Sequence, residues 1–340
     1  MILSVSRRTD IPNYYSDWFL NRIKEGFLYV RNPVNPHQIS KVTLSPELVD
    51  CIVFWTKNPE PMFDRLSELD GYAYYFQFTL TGYGRDIEPG VPHKKERMIP
   101  VFQKLSDKIG SHRVVWRYDP ILFNDTYTPG CHLRAFAQIA SALSGYTKRC
   151  VISFVDEYAR NRAAMKALGV RDIDSFGRKD PEPADRPVMG GQKSYNENEI
   201  SHNSLKEFAA EISSIARRNG MEIHTCAEKT DLADCGIRHG SCIDRTLIEE
   251  IIGCTIKAEQ DRNQRAECGC VESVEVGTYH TCPNGCRYCY ANDSREKAEK
   301  NHRVYDASSP ILCSRIEDGD KITERKVVSL KDGQIRIFSD

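Results

Sequence analysis

The sequence of 340 residues has no long hydrophobic run and no excess of charge of either sign. No apolar stretch reaches the roughly 18 residues of a membrane-spanning helix. The short apolar start, which meets two arginines at residues 7 and 8, is not typical of a secretion signal. With 47 basic and 48 acidic residues, no overall field attracts nucleic acid or an anionic membrane. We therefore expect a cytoplasmic protein without a membrane partner. The net charge does not support nucleic acid as a partner, but it leaves the alternative of a local basic groove that binds nucleic acid.

Several common catalytic motifs are also missing. The nine histidines include no H-x-x-x-H or H-E-x-x-H pair, which argues against a zinc hydrolase. There is no G-x-x-x-x-G-K-[ST] segment, and the pair Gly190-Gly191 lies in a turn-rich stretch with no strand before it. Neither zinc-dependent hydrolysis nor nucleotide binding by a phosphate loop is therefore predicted.

What the sequence does contain is an ordinary globular composition with many cysteines. Its apolar fraction of 40% and charged fraction of 28% allow a sizeable core. The length suits one large domain, or a domain of about 250 residues with a smaller appendage. The thirteen cysteines, in a compartment that keeps thiols reduced, favour metal or redox chemistry over disulfides.

Seven short apolar runs, separated by amphipathic helical patterns, define the predicted fold. The runs are near-continuously apolar, as strands covered on both faces of a parallel sheet are. Alternation of strand and helix predicts an α/β fold, here a partial or full (β/α) TIM-like barrel. The predicted strands are residues 2–5, 51–55, 74–80, 113–117, 150–154, 221–225 and 273–279, and the helices are 17–24, 100–109, 132–143 and 204–218.

Polar residues follow three of these runs directly. In parallel sheets the carboxyl ends of strands hold most catalytic residues, although polar loops are also the ordinary way to connect a strand to a helix. The pair Arg7-Arg8 could clamp a carboxylate or phosphate, or could join Asp10 and Glu228 in a structural ion network. We predict a pocket lined by Arg7, Arg8, Asp10, Lys57, Asn58, Arg117 and Asp119.

Composition divides the chain into three parts. Residues 1–225 form the main barrel portion, and within it residues 172–203 are predicted to be a mobile insertion, a lid or a plain surface loop. Residues 226–302 form a cysteine-rich segment that includes the last barrel strand. Residues 303–340 form a tail with short apolar runs at 304–305, 311–312 and 335–338 around the turn at Asp318-Gly319-Asp320, which predicts short β-structure or a closing flap.

Cys282, Cys286 and Cys289 have the spacing C-x3-C-x2-C, which a shuffled chain of this cysteine content would contain only about 0.02 times. Three thiolates on one short loop can hold three irons of a 4Fe-4S cluster and leave the fourth iron open. Structural zinc needs four ligands, usually in C-x2-C pairs, and only Cys286 and Cys289 form one. Zinc is the alternative, and a ferredoxin spacing does not fit.

This motif, with Tyr288 as its aromatic residue, resembles that of radical S-adenosylmethionine enzymes, C-x3-C-x-aromatic-C after a barrel strand. The resemblance implies a 4Fe-4S cluster on Cys282, Cys286 and Cys289, a cofactor-binding loop that includes Tyr288, and S-adenosylmethionine on the open iron. It also implies an electron donor such as a flavodoxin or ferredoxin. The product would be a 5′-deoxyadenosyl radical that abstracts hydrogen from an unidentified substrate.

The motif follows the last predicted strand, whereas in radical S-adenosylmethionine enzymes it follows the first, so we expect a circularly permuted barrel. Over nearly its full length the chain is similar to the family of domain of unknown function 1848. The middle segments also resemble the spore photoproduct lyase branch of radical enzymes, which repairs DNA. The matching segments are SRRTDIPNYYSDWF, VFWTKNP, WRYDPI, SCID, and CGCVES through TCPNGCRYCYAN.

Four further cysteines form a candidate second site. Cys226, Cys242, Cys268 and Cys270 could ligate a second 4Fe-4S cluster or a structural zinc, with Cys235 and Cys254 as alternative ligands.

A different class of function also stays open, a non-catalytic zinc or iron-sulfur module that recognises nucleic acid or a protein partner. A cluster used only for electron transfer is a third hypothesis. Neither of these two accounts for a three-cysteine motif with an open iron. The remaining thiols are expected to be core or surface residues, namely Cys51, Cys131, Cys150 and Cys313.

Overall fold

Eight parallel strands form the centre of the protein. The structure is a computed structural model, and it describes residues 1–171 and 205–332. The strands are β1 (Ile2–Val5), β2 (Phe27–Arg31), β3 (Gln38–Thr43), β4 (Cys51–Thr56), β5 (Tyr74–Thr79), β6 (Val114–Ile121), β7 (Arg149–Phe154), β8 (Glu222–Cys226), β9 (Arg238–Gly240), β10 (Val274–Glu275) and β11 (Lys321–Glu324).

The order of strands in the large sheet is β10-β1-β4-β5-β6-β7-β8-β9. The last of these strands in the chain therefore lies beside the first, with Leu3 opposite Val274. Within the described residues β9 and β10 are the two edge strands and do not pair with each other, so the sheet is open. The prediction of an α/β fold with a parallel sheet is confirmed, and closure into a full barrel is not observed.

A second sheet contains β2, β3 and β11. Strands β2 and β3 pair antiparallel, and β11 from the C-terminal tail adds to β3 in parallel. The expected β-structure in the tail is thus confirmed for residues 321–324, whereas its apolar run at 335–338 lies outside the described residues. The hairpin of β2 and β3 was not predicted, because its mixed polar and apolar side chains lack the continuous apolar pattern of the central strands.

Helices fill the connections between the central strands. The four predicted helices are confirmed with ends shifted by up to three residues, and each begins or ends at a recognisable residue: Thr128 caps α4 through its hydroxyl, and Gly26 ends α2 in the left-handed conformation. The helices are α1 (Ile11–Tyr14), α2 (Ser16–Glu25), α3 (Ile99–Ile109), α4 (Pro129–Ala142), α5 (Arg162–Ala167), α6 (Leu205–Arg218), α7 (Arg245–Ile252) and α8 (Arg295–His302), with a 3-10 helix at Glu60–Leu69, shorter ones at Ser111–Arg113 and Ala233–Cys235, and a π-helical turn at Lys94–Met98.

Alternate residues of the central strands face two separate apolar cores. Phe54 and Trp116 belong to the larger core, under most of the crossover helices. Val53 and Val115, one position earlier on the same strands, belong to a smaller core that packs against Ile248 of α7. Helix α7 and the cysteine-rich segment therefore cover the second face of the sheet.

The predicted insertion at residues 172–203 lies outside the described residues. In the described ranges, none of the helices has the length and hydrophobicity required to cross a membrane. The three-part division of the chain stays a prediction, although β10 of the cysteine-rich segment pairs directly with β1 of the main portion.

Candidate metal centre

The loop that carries Cys282, Cys286 and Cys289 follows β10 at the carboxyl edge of the large sheet. Backbone hydrogen bonds attach it to the segment after β5: Gly90 N donates to Asn284 O at 2.9 Å, and Arg287 N donates to Ile87 O at 2.9 Å. The expected strand before this loop is only two residues long, Val274–Glu275, so the loop is held by these contacts more than by the sheet.

The three thiols of this loop are neighbours. Cys286 and Cys289 both raise the pKa of Cys282 electrostatically, after burial as the larger cause. Burial likewise raises the pKa of Cys286 to about 12 and raises that of Cys289. All three cysteines still keep partial solvent exposure. Without a cation the thiols are therefore protonated, and a metal that replaces the protons would meet three accessible soft ligands.

Asp10 connects this loop to two other segments. It is buried, and its carboxylate accepts hydrogen bonds from Asn284 Nδ2 at 3.2 Å, from Lys57 N at 2.9 Å and from Asn13 N at 3.2 Å. Desolvation raises its pKa to about 6, although these donors oppose the shift. Asp10 is thus a positioning residue for the cysteine loop.

Lys57 belongs to a group of buried charges beside the cysteine loop. Its Nζ donates to Glu88 Oε1 and to Tyr288 Oη, both at 2.8 Å. Glu88 also accepts from Tyr288 Oη, from Lys94 Nζ and, at 3.0 Å, from Thr81 Oγ1. Burial alone would raise the pKa of Glu88, but the two ammonium groups outweigh it and hold the pKa at about 2.

The second set of cysteines also comes together. The thiols of Cys226 and Cys242, of Cys242 and Cys270, and of Cys270 and Cys268 are close enough to shift each other's pKa. Cys270 Sγ additionally accepts from Ile243 N at 3.3 Å. The set lies on the second face of the sheet, in the core covered by α7, as four cysteines drawn from three separate segments of the chain. The alternatives Cys235 and Cys254 do not belong to this chain of contacts.

Two arginines flank this second set. Arg117 Nη1 donates to Cys242 Sγ at 2.9 Å, while its Nε and Nη2 pair with Asp119. Arg7 lies near Cys270, and its guanidinium and that of Arg117 are 5.5 Å and 5.2 Å from the ring centre of Trp55. The Nη2 atom of Arg7 is buried without a hydrogen-bond partner. Two guanidinium groups, each paired with a carboxylate, therefore lie beside the second set.

Of the seven residues predicted to line one pocket, Asp10 and Lys57 contact the first cysteine loop, and Asn58 donates to Asn13 beside Asp10. Arg7, Arg117 and Asp119 lie beside the second set. Arg8 contacts Gly277 O at 3.4 Å and the ring of Tyr279 at 4.7 Å.

One alternative for the Arg7-Arg8 pair was a structural ion network with Asp10 and Glu228, and Arg7 has other partners. Arg7 pairs with Asp261 at 3.8 Å, and its backbone N–H donates to Glu275. Glu228 instead accepts from Phe154 N at 2.7 Å. The carboxylate of Asp261 comes from the cysteine-rich segment, so the network joins the two parts of the chain.

Sequence reasoning missed Glu88, Lys94 and Asn284. Glu88 and Lys94 follow the third predicted strand, and the signal for them in the sequence is the polar run after residue 80. Asn284 lies inside the cysteine motif itself, at a position that the C-x3-C-x2-C pattern leaves unspecified. Nothing in the local sequence indicated that Glu88 would face Tyr288, 200 residues away.

Within the part of the chain that the structure describes, no group of three or more histidine, cysteine, aspartate or glutamate side chains has the geometry to hold a single metal ion. The donor set of the first loop nevertheless fits an iron-sulfur cluster in its chemistry. Each thiolate of a cubane cluster binds a different iron, so the three sulfurs need not surround one point. Soft, clustered and partly accessible thiols are the ligands that iron-sulfur chemistry uses.

These features define an α/β protein with a mainly parallel sheet and two groups of cysteines at one region of it. Residues 2–291 match the family described as a domain of unknown function, DUF1848. The chain belongs to this family. No curated protein and no solved structure matches the chain.

Proposed function

We propose that this protein is a radical S-adenosylmethionine enzyme with a 4Fe-4S cluster on Cys282, Cys286 and Cys289. The observation that carries the proposal is the loop itself: three neighbouring, partly accessible thiols in a C-x3-C-x2-C motif at the carboxyl edge of a parallel sheet. When bound, such a cluster supplies the electron that cleaves S-adenosylmethionine to a 5′-deoxyadenosyl radical. The electron itself would come from an external donor such as a flavodoxin or ferredoxin.

The strand order supports a circular permutation of a partial or full barrel. The motif of this enzyme class follows the first barrel strand, and here β10 has that place at the edge of the sheet, next to β1. In this account the chain starts at the second strand of the ancestral order and ends with the first. A rearrangement of this kind preserves every neighbour in the sheet and changes only where the chain begins.

The residues around the first loop have separable roles in this proposal. Asp10 and Gly90 both bind Asn284 and so hold the loop in place. Lys57 contacts Tyr288 of the loop. The three thiols would hold three irons of the cluster, which would leave the fourth iron for S-adenosylmethionine, because the motif contains only three cysteines.

We further propose that Cys226, Cys242, Cys268 and Cys270 hold a second 4Fe-4S cluster. Four thiolates would leave no iron open, which suits electron transfer or structure better than catalysis. The pair Arg7 and Arg117 supports an anionic occupant, since a cluster or a zinc ion with four thiolates carries net negative charge. Analysis of iron, sulfide and zinc distinguishes a 4Fe-4S cluster from a zinc ion at this second set.

The test is anaerobic purification followed by analysis of iron, sulfide and zinc. We expect about eight irons per chain if both sites hold clusters, or about four if only the first does. Dithionite reduction with S-adenosylmethionine should then release 5′-deoxyadenosine, detected by chromatography. Cys286→Ala should abolish the nucleoside product, and Cys242→Ala should lower the iron content by about half without removing the signal of the first cluster.

Cys131→Ala is the matched control, because Cys131 is a partly exposed cysteine on α4 and belongs to neither group. It should retain both iron and product. Zinc in place of iron under strictly anaerobic preparation, with no 5′-deoxyadenosine, would overturn the enzyme proposal and favour the non-catalytic binding module. Iron with no effect of S-adenosylmethionine on its spectrum would favour a cluster used only for electron transfer.

A further inference from the structure

Two lysines and one glutamate form a closed charge group beside the first cysteine loop. Lys57 Nζ contacts Glu88 Oε1 at 2.8 Å, and Lys94 Nζ contacts Glu88 Oε2. The Glu88 side chain has no solvent exposure, and those of Lys57 and Lys94 are 13% and 18% exposed. We call these three residues the charge group. It holds two positive charges and one negative charge, so its net charge is +1.

Tyr288 connects the charge group to the cysteine loop. Its hydroxyl donates to Glu88 Oε1 and accepts from Lys57 Nζ at 2.8 Å. Tyr288 stands between Cys286 and Cys289 in the motif. Burial raises the pKa of the Cys286 thiol, and both lysines are close enough to oppose this rise electrostatically. The charge group is therefore adjacent to the atoms that would hold the irons.

A buried net charge close to a redox centre changes the relative free energies of its two oxidation states. Reduction adds one negative charge to a cluster, and a nearby positive charge stabilises the reduced form more than the oxidised form. The effect is larger for buried charges than for exposed ones, because water screens the latter. The negative charge of Glu88 cancels one of the two lysine charges. The net charge of the group is therefore +1, whereas it would be +2 without the Glu88 carboxylate.

We propose that Lys57, Glu88 and Lys94 set the reduction potential of the cluster on Cys282, Cys286 and Cys289, with Lys94 as its excess positive charge. This inference rests on the proposed function only in requiring a cluster in that loop. It assigns the three residues a role in tuning the site rather than in contacting substrate. Lys94 should raise the midpoint potential, and Glu88 should lower it.

The two single variants have opposite predicted signs. Lys94→Met removes a positive charge and should shift the midpoint potential downward. Glu88→Gln removes the negative charge and should shift it upward, while the double variant retains only Lys57 and should return near the wild-type value. Lys94 borders a surface cavity of about 840 Å³, so methionine has room there. The measurement is a redox titration of the purified holoprotein followed by electron paramagnetic resonance.

Lys95→Met is the matched control, since it removes the same charge from the adjacent but exposed residue, and it should leave the potential almost unchanged. A disturbance of structure alone would move both single variants in the same direction. In iron-loaded protein, any pattern other than opposite shifts overturns the inference and leaves the proposed function intact. If no iron assembles in wild-type protein, both fall together.

Discussion

The backbone of Gly90 lies so close to the backbone of Asn284 that a β-carbon at position 90 would be 2.6 Å from the Asn284 carbonyl oxygen. The same two residues share a backbone hydrogen bond of 2.9 Å. The segment after β5 and the cysteine loop are thus in direct contact, with no space for a side chain between them. Glycine is required at this position by the close approach rather than by its backbone angles.

We therefore predict that Gly90→Ala displaces the cysteine loop. It should destabilise the protein by about 1–3 kcal/mol through overpacking and lower its iron content. Urea unfolding and iron analysis are the measurements. Gly71→Ala is the control, because a β-carbon there meets only Pro46 at an ordinary 3.7 Å. Unchanged stability and unchanged iron in Gly90→Ala would contradict the close contact.

Asp10 provides the second prediction, on the anchoring of the loop. Asp10→Ala leaves the N–H groups of Asn13 and Lys57 and the amide of Asn284 without their acceptor. The expected loss in the free energy of unfolding is roughly 1–3 kcal/mol. Asp10→Asn keeps one acceptor oxygen and should lose less. Equal stability of Asp10→Ala and wild type in urea would show that these bonds do not hold the loop.

The third prediction concerns Arg117 and Asp119 beside the second cysteine set. Arg117 is buried, and removal of its charge leaves the Asp119 carboxylate without its ionic partner. Arg117→Met should destabilise the protein by about 3–5 kcal/mol. Adding Asp119→Asn should recover part of this loss, because the unpaired charge is then gone. A double-mutant cycle in urea measures the coupling, and strict additivity of the two changes would be the contrary result.

The fourth prediction concerns His132, which is buried between α4 and the end of β6. Its Nε2 is 2.8 Å from Leu122 O, an acceptor, so Nε2 holds the proton and Nδ1 accepts from Tyr118 Oη at 2.9 Å. Burial lowers the pKa of His132 to about 4 from 6.5. The folded state therefore disfavours protonation that the unfolded state permits.

The free energy of unfolding is therefore not reduced by His132 above pH 6.5. It decreases as the pH falls below 6.5, and the reduction is largest below about pH 4. Between pH 7 and pH 5 we expect a loss of about 2 kcal/mol in the free energy of unfolding. His132→Gln should lack this loss over the same interval. Urea titrations of both proteins at the two pH values test it, and identical pH dependence of wild type and variant would refute the assignment.

The central strands could be predicted from the sequence because each is a run of apolar residues whose pattern depends only on near neighbours. Residues 2–5 were predicted as observed, and five further central strands were correct to within a few residues. The predicted strand before the cysteine loop has seven residues, whereas the observed strand has two, because Val276 and Tyr279 continue the apolar pattern beyond the end of the strand. Pairing depends on a partner strand, and the local pattern does not contain it.

The spacing of Cys282, Cys286 and Cys289 was evident in the sequence alone, because ligands on one loop are constrained by a few covalent bonds. The four further cysteines come from three separate segments, so the sequence offered them only as a candidate set. Only the tertiary structure decided what surrounds them. Lys57 meets Tyr288 across 231 residues. Such contacts depend on how strands far apart in the chain pack side by side, with β10 next to β1 and the loop after β5 against the cysteine motif.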